Sequence, residues 1–123
     1  TGNALRGEDI VMKSTGSQFR SWSYVVDCAS AILYILLKGK NGEAYNIADE
    51  ASNISIRELA EITASMVGRK VVMEVPDETE RKGYNPVSKS VYSVEKLKTL
   101  GWQPATSIKD GIRKTINHLQ SKP

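Results

Sequence analysis

Arg20 opens the stretch Arg-Ser-Trp-Ser-Tyr-Val-Val-Asp, which places one fixed positive charge where an alternating run gives way to an apolar one. A guanidinium keeps its charge at any working pH and can fork two N–H donors onto phosphate or carboxylate oxygens. A surface strand arginine paired with a carboxylate such as Glu43 has the same residue types. Asn46 follows Tyr45 near the end of a second alternating run and carries both a donor and an acceptor. Asp27 falls in the first turn of a helix, where free N–H groups stabilise a carboxylate. Cys28 is the only cysteine, so neither an intrachain disulfide nor a Cys-based metal site is expected. Its apolar neighbours make it a small core residue. His118 lies alone on the polar side of a helix and takes no role.

The elements that must hold these residues follow from pattern. Residues 9–13 alternate around Ile10 and Met12 and read as a strand, and residues 14–17 read as a turn containing Gly16. Residues 20–25 form the next strand and residues 27–37 a helix. That helix is apolar around most of its circumference, which predicts burial on more than one side. Residues 43–48 read as a strand. Ser55 and Glu58 make a capping box. It starts a helix whose Ile56, Leu59, Ala60, Thr63, Met66 and Val67 share one face. Residues 71–75 form a further strand. Residues 77–90 have no apolar period and read as a long loop with a functional or mobile role. Ser93 starts a short helix and Ser107 the last one, with Ile108, Ile112, Ile116 and Leu119 on its inner face. Strands alternating with helices make an α/β arrangement with one core.

The bulk properties narrow the partners. A chain of 123 residues supports one domain or a piece of a larger one. The segment around Asn3 to Gly7 reads as the last turn of a helix with no visible beginning, as in a piece of a longer chain. The net charge of +3 comes without a basic stripe interleaved with aromatics, so nucleic acid is not an expected partner. The longest apolar run is too short to span a bilayer and no secretory signal is visible, so a cytoplasmic setting is expected.

Several motifs then fall in a definite order. They are Gly16-Ser-Gln-Phe-Arg20-Ser-Trp-Ser-Tyr24-Val, Asp27, Glu43-Ala-Tyr45-Asn46-Ile, Ser55-Ile-Arg-Glu-Leu, Leu100-Gly101-Trp102-Gln-Pro104, and Gly111-Ile with Thr115. In that order and spacing the chain resembles the C-terminal, substrate-binding part of the extended short-chain dehydrogenase/reductases, the NAD-dependent nucleotide-sugar epimerases, dehydratases and decarboxylases. The resemblance implies a small C-terminal lobe of a Rossmann-type enzyme, residues 1–123, without the dinucleotide-binding domain. It implies that NAD and the catalytic Tyr-x-x-x-Lys belong to the missing Rossmann domain, and that the parent enzyme begins by oxidising a sugar at C4. Neither Gly-x-Gly-x-x-Gly nor Gly-x-x-Gly-x-x-Gly occurs among the nine glycines, so this chain alone should be inactive. Tyr34-Ile-Leu-Leu-Lys38 fits the catalytic pattern literally. It falls where the family places a packing helix, so Tyr34 is read as core and Lys38 as a helix C-terminal cation.

For binding, the resemblance assigns Arg20 to the diphosphate of a nucleotide diphosphate sugar. It implies a second cation from the 77–90 stretch, Lys89 by count or Arg81 by its guanidinium. It also places Asn46 near the base-binding side, where an amide can read a uracil or thymine edge. Asn53 is a weaker candidate of the same kind, and Trp22 and Trp102 are read as packing residues. An alternative of another class remains: a self-associating, possibly domain-swapped piece with no binding activity alone. Its large exposed apolar faces would favour a homo-oligomer.

Overall fold

The computed structural model describes residues 1–84 and 86–122. A short helix α1 (Gly2–Leu5) leads into strand β1 (Ile10–Met12) and strand β2 (Phe19–Ser21). Helix α2 (Val25–Lys38) follows, then strand β3 (Asn53–Ser55) and helix α3 (Ile56–Met66). Strand β4 (Val71–Met73), helix α4 (Glu78–Lys82) and strand β5 (Lys89–Ser90) come next, with helices α5 (Glu95–Lys98) and α6 (Ile108–Gln120) last. The architecture is α/β, with short strands between helices. Two small sheets form: β1 pairs with β4 in parallel, and β2 sits between antiparallel β3 and parallel β5.

The core joins α2, α5 and the segments beside them. Ala31, Ala48, Val94, Leu97 and Trp102 are buried, with Tyr34, Ile35, Tyr45, Ile47 and Leu100 packed around them. Trp102 is 1% exposed, and its indole N–H donates to the Ser30 hydroxyl at 3.0 Å. The indole therefore fixes the Gly101–Pro104 turn against α2, the packing role its position predicts. The buried carboxylate of Asp27 lies in the first turn of α2, as expected. Its Oδ2 accepts from the Thr106 backbone N–H at 3.0 Å, so it also ties α2 to the approach to α6.

Three expectations are corrected. Helix α2 is not buried on several sides: Val25, Val26, Ile32, Leu33, Leu36 and Leu37 are between 57% and 79% exposed. Its inner face, with Asp27 and Ala31, is buried. Among the described residues nothing covers the apolar side chains on its outer side. Residues 43–48 are not a strand. Tyr45 and Ile47 alternate inward as a strand would, but no backbone–backbone bond of residues 44–48 occurs among the described residues. A strand exists through its neighbour, and none lies alongside. The 77–90 stretch is not an uninterrupted loop. It contains α4 and β5, and Asn85 within it lies outside the described residues.

The capping box before α3 forms as expected: the Ser55 hydroxyl accepts from the Glu58 N–H at 3.1 Å, and the Glu58 carboxylate takes the Ser55 N–H at 2.8 Å. The strand expected over 20–25 ends at Ser21, because Tyr24 already stands as the N-cap of α2. Among the described residues no helix is long and apolar enough to cross a membrane.

Candidate functional site

The backbone that carries Arg20 is set from both sides. Gly16 turns the chain with φ +63°, and its carbonyl accepts from the Arg57 N–H at 2.9 Å. The Gln18 carbonyl accepts from the Ile56 N–H at 3.0 Å. Two N–H groups at the start of α3, which no helical carbonyl can reach, are thereby satisfied. Beyond Arg20, the half-buried Trp22 donates its indole N–H to the Ile54 carbonyl at 3.2 Å, which ties it to β3. Arg20 thus sits on the middle strand of the three, next to the N-terminus of a capped helix.

Among the described residues the guanidinium makes three hydrogen bonds. Nη1 donates to the Phe19 carbonyl at 2.7 Å, and Nη2 to Gln18 Oε1 at 3.2 Å and to the Val87 carbonyl at 2.8 Å. All three acceptors are uncharged. The carboxylate that composition offered, Glu43, pairs with Lys96 instead. Among the described residues no carboxylate lies in ion-pair range of Arg20.

The other candidates are distributed along the same segment. In the β2–β5 register, Lys89 is the Cα partner of Phe19, and Ser90 is the partner of Arg20. Side chains alternate along a strand, so Lys89 and Arg20 project to opposite faces of the sheet. Arg81 lies in the last turn of α4, exposed, and its side chain makes no hydrogen bond or ion pair among the described residues. Asn46 Nδ2 donates to the Ser93 carbonyl at 3.3 Å. Ser93 is three residues past Ser90, about 10 Å of extended chain. Asn46 is thereby tied to the chain that continues from β5, the strand beside Arg20. Asn53 is spoken for: its Oδ1 accepts from the Ser21 hydroxyl at 2.7 Å.

The literal Tyr-x-x-x-Lys pair stays within α2. Lys38 Nζ lies 5.3 Å from the centre of the Tyr34 ring, and Tyr34 packs on the core. Cys28 is half-buried rather than fully enclosed, with Sγ 2.8 Å from the Ser23 hydroxyl. Among the described residues no cluster of His, Cys, Asp or Glu could hold a metal.

The sequence reading missed what anchors the 77–90 stretch. Asp77 and Glu80 form a capping box on α4, with the Glu80 N–H on Asp77 Oδ1 at 2.7 Å. Glu80 also pairs with Lys13, and the Tyr84 hydroxyl donates to the Lys13 carbonyl at 2.6 Å. The Asp-x-x-Glu spacing is a local signal for α4. The ties to Lys13 span about seventy residues of sequence and leave no local trace.

The family model described as the NAD dependent epimerase/dehydratase family matches residues 1–48, the part that holds Arg20, Asp27 and Asn46. The dTDP-glucose 4,6-dehydratase 1 of Escherichia coli (strain K12) is 31% identical over 120 residues, 93% of this chain and 33% of that protein. The chain matches the C-terminal part of the extended short-chain dehydrogenase/reductases. The UDP-glucose 4-epimerase of Thermotoga maritima, solved with UDP-glucose, superposes with a TM-score of 0.75 at 26% identity over 96% of this chain and 37% of that one. The dTDP-glucose 4,6-dehydratase of Bacillus anthracis, solved in complex with NAD, shares the fold with a TM-score of 0.82 at 24% identity over 98% of this chain and 37% of that one. The chain spans about a third of the length of the curated relatives it matches.

The residues present do not fit a dinucleotide cradle. Such a cradle needs glycine at a strand-to-helix turn so that backbone N–H groups can approach a pyrophosphate. Here the junctions β2–α2, β3–α3, β4–α4 and β5–α5 contain no glycine.

Proposed function

We propose that this chain supplies the nucleotide-sugar side of an NAD-dependent epimerase or dehydratase. Arg20 takes the substrate diphosphate, Lys89 or Arg81 adds a second charge, and Asn46 lies toward the base. NAD and the catalytic groups come from the rest of the parent enzyme, so the chain has no catalytic residue and no activity alone. A cytoplasmic setting goes with this reading.

The observation that carries it is the company of the Arg20 guanidinium. Its acceptors are two carbonyls and an amide oxygen, so its charge is uncompensated by any described carboxylate. A phosphate oxygen adds charge–charge attraction to the hydrogen bonds the guanidinium already donates and can be gripped bidentately, so it is a better partner than any of the three. The relative solved with UDP-glucose supports the choice of ligand class. The test is a titration with UDP and with dTDP followed by amide NMR, with Arg20→Ala as control. Saturable shifts around Arg20, Asn46 and Ser90 that vanish in the variant are expected. Identical shifts in the variant would remove Arg20 from the site.

A second reading is favoured by the outer face of α2. Six large apolar side chains stand exposed there, and patches of that kind drive association. On this reading the chain is a self-associating piece, and sedimentation should show a dimer that Leu36→Lys with Leu37→Glu disperses. A monomer at all concentrations counts against it.

A further inference from the structure

The Val87 carbonyl occupies the guanidinium that the proposed function reserves for a phosphate, and the segment carrying that carbonyl is fastened at a distance. Its fastening point is Lys13, just beyond β1. The Lys13 ammonium pairs with Glu80 on α4, and the Lys13 carbonyl accepts from the Tyr84 hydroxyl at 2.6 Å. The Glu80 carboxylate has two tasks: one oxygen meets Lys13 and the other accepts the Asp77 N–H at 3.0 Å, closing the start of α4. At its far end the segment joins β2, where the Phe19 N–H donates to the Ser88 carbonyl at 2.9 Å. Val87 thus adjoins a fixed point at Ser88, and Arg20 Nη2 reaches its carbonyl at 2.8 Å.

We propose that Lys13, Glu80 and Tyr84 form a strap that keeps the Val87 carbonyl on Arg20 as a placeholder, so that the ligand phosphate binds by displacing it. This inference rests on the phosphate role of Arg20. The anchors are of a kind that can open: α4 is five residues long with no buried residue, and the Lys13–Glu80 pair is exposed to solvent. Exposed pairs of that kind are screened by salt and individually weak. The exchange also has a direction. A neutral carbonyl gives way to an anionic oxygen on the same N–H donors, which favours the ligand once the segment moves. The strap then sets how much of the protein is open before ligand arrives. Affinity falls in proportion to the competent fraction.

The experiment measures UDP affinity by NMR titration for the wild type, Glu80→Gln, Tyr84→Phe and the double variant. Both substitutions are conservative. Glutamine at position 80 can still reach back to the Asp77 N–H, as in a glutamine capping box, and loses only its charge toward Lys13. Phenylalanine at position 84 loses only the hydroxyl. The strap predicts tighter UDP binding, about threefold in each single variant and more in the double. It also predicts faster amide exchange at Val87 and Ser88 without ligand. A purely structural role would weaken binding, not strengthen it. Arg20-dependent binding that is unchanged or weaker in the variants overturns the strap and leaves the phosphate role standing. If UDP moves no resonance near Arg20 in any of the four proteins, the phosphate role fails and the strap fails with it.

Discussion

Arg20 and Lys89 sit on adjacent parallel strands one register step apart, so the two cations leave opposite faces of the sheet. They are neighbours in the fold without forming a pair of prongs. A ligand gripped by Arg20 meets Ser90 beside it first.

Substitution should therefore be unequal. Arg20→Ala removes hydrogen bonds of the charged kind, each worth about 1.5–3 kcal/mol, and is expected to weaken UDP binding at least about tenfold. Lys89→Ala removes only a point charge from the far face and should weaken it less than about threefold. Titration calorimetry of the two variants checks the ranking.

Trp102 holds the core together from the Gly101–Pro104 turn. It is 1% exposed, and its N–H meets Ser30. Trp102→Ala is expected to cost about 3–5 kcal/mol, while Trp102→Phe should cost less, since most of the packing survives. Urea unfolding followed by circular dichroism separates the two.

Gly16 is the turn that aims β2. At φ +63°, a Cβ there would lie 2.2 Å from Met12 Cε and 2.9 Å from the Arg57 backbone nitrogen. Gly16→Ala should lose about 1–2 kcal/mol from the left-handed backbone alone. It should also disturb the amide resonances of Phe19 and Arg20, because the Arg57 N–H bond to the Gly16 carbonyl must shift.

Acid should reach the protein through Glu50 among other groups. The Val94 N–H, and after it the Lys98 ammonium, hold the Glu50 carboxyl below its usual range. A depressed folded-state value means stability that is present above the ordinary carboxylate range of about 4.3 and lost as pH falls through the folded value. Glu50→Gln keeps an acceptor for Val94 and drops the titration. Its unfolding midpoint should therefore fall less between pH 7 and pH 3 than that of the wild type.

Local signals account for much of what was legible. The Ser55–Glu58 box, the Ser107 start of α6 and the apolar face of α3 were all visible, because caps and 3.6-residue periods depend on near neighbours. The role of Trp102 was visible from its place between Gly101 and Pro104. The alternation at residues 43–48 reads as a strand, and Tyr45 and Ile47 do pack inward, yet no strand formed. Strand identity depends on a partner, and a single sequence does not show who the partner is. The apolar circumference of α2 was likewise read as burial, although its outer side stands exposed among the described residues. The charge on Arg20 was legible. Its three neutral acceptors, and the tie from Tyr84 to Lys13, come from contacts that only the fold creates.

The central claim is that Arg20 takes a diphosphate, and the most direct test compares UDP with uridine in parallel NMR titrations of the wild-type chain. The account predicts saturable shifts at Arg20 and Ser90 with UDP, and none there with uridine at the same concentration. Equal shifts with both ligands, or none with UDP at millimolar concentration, would contradict it.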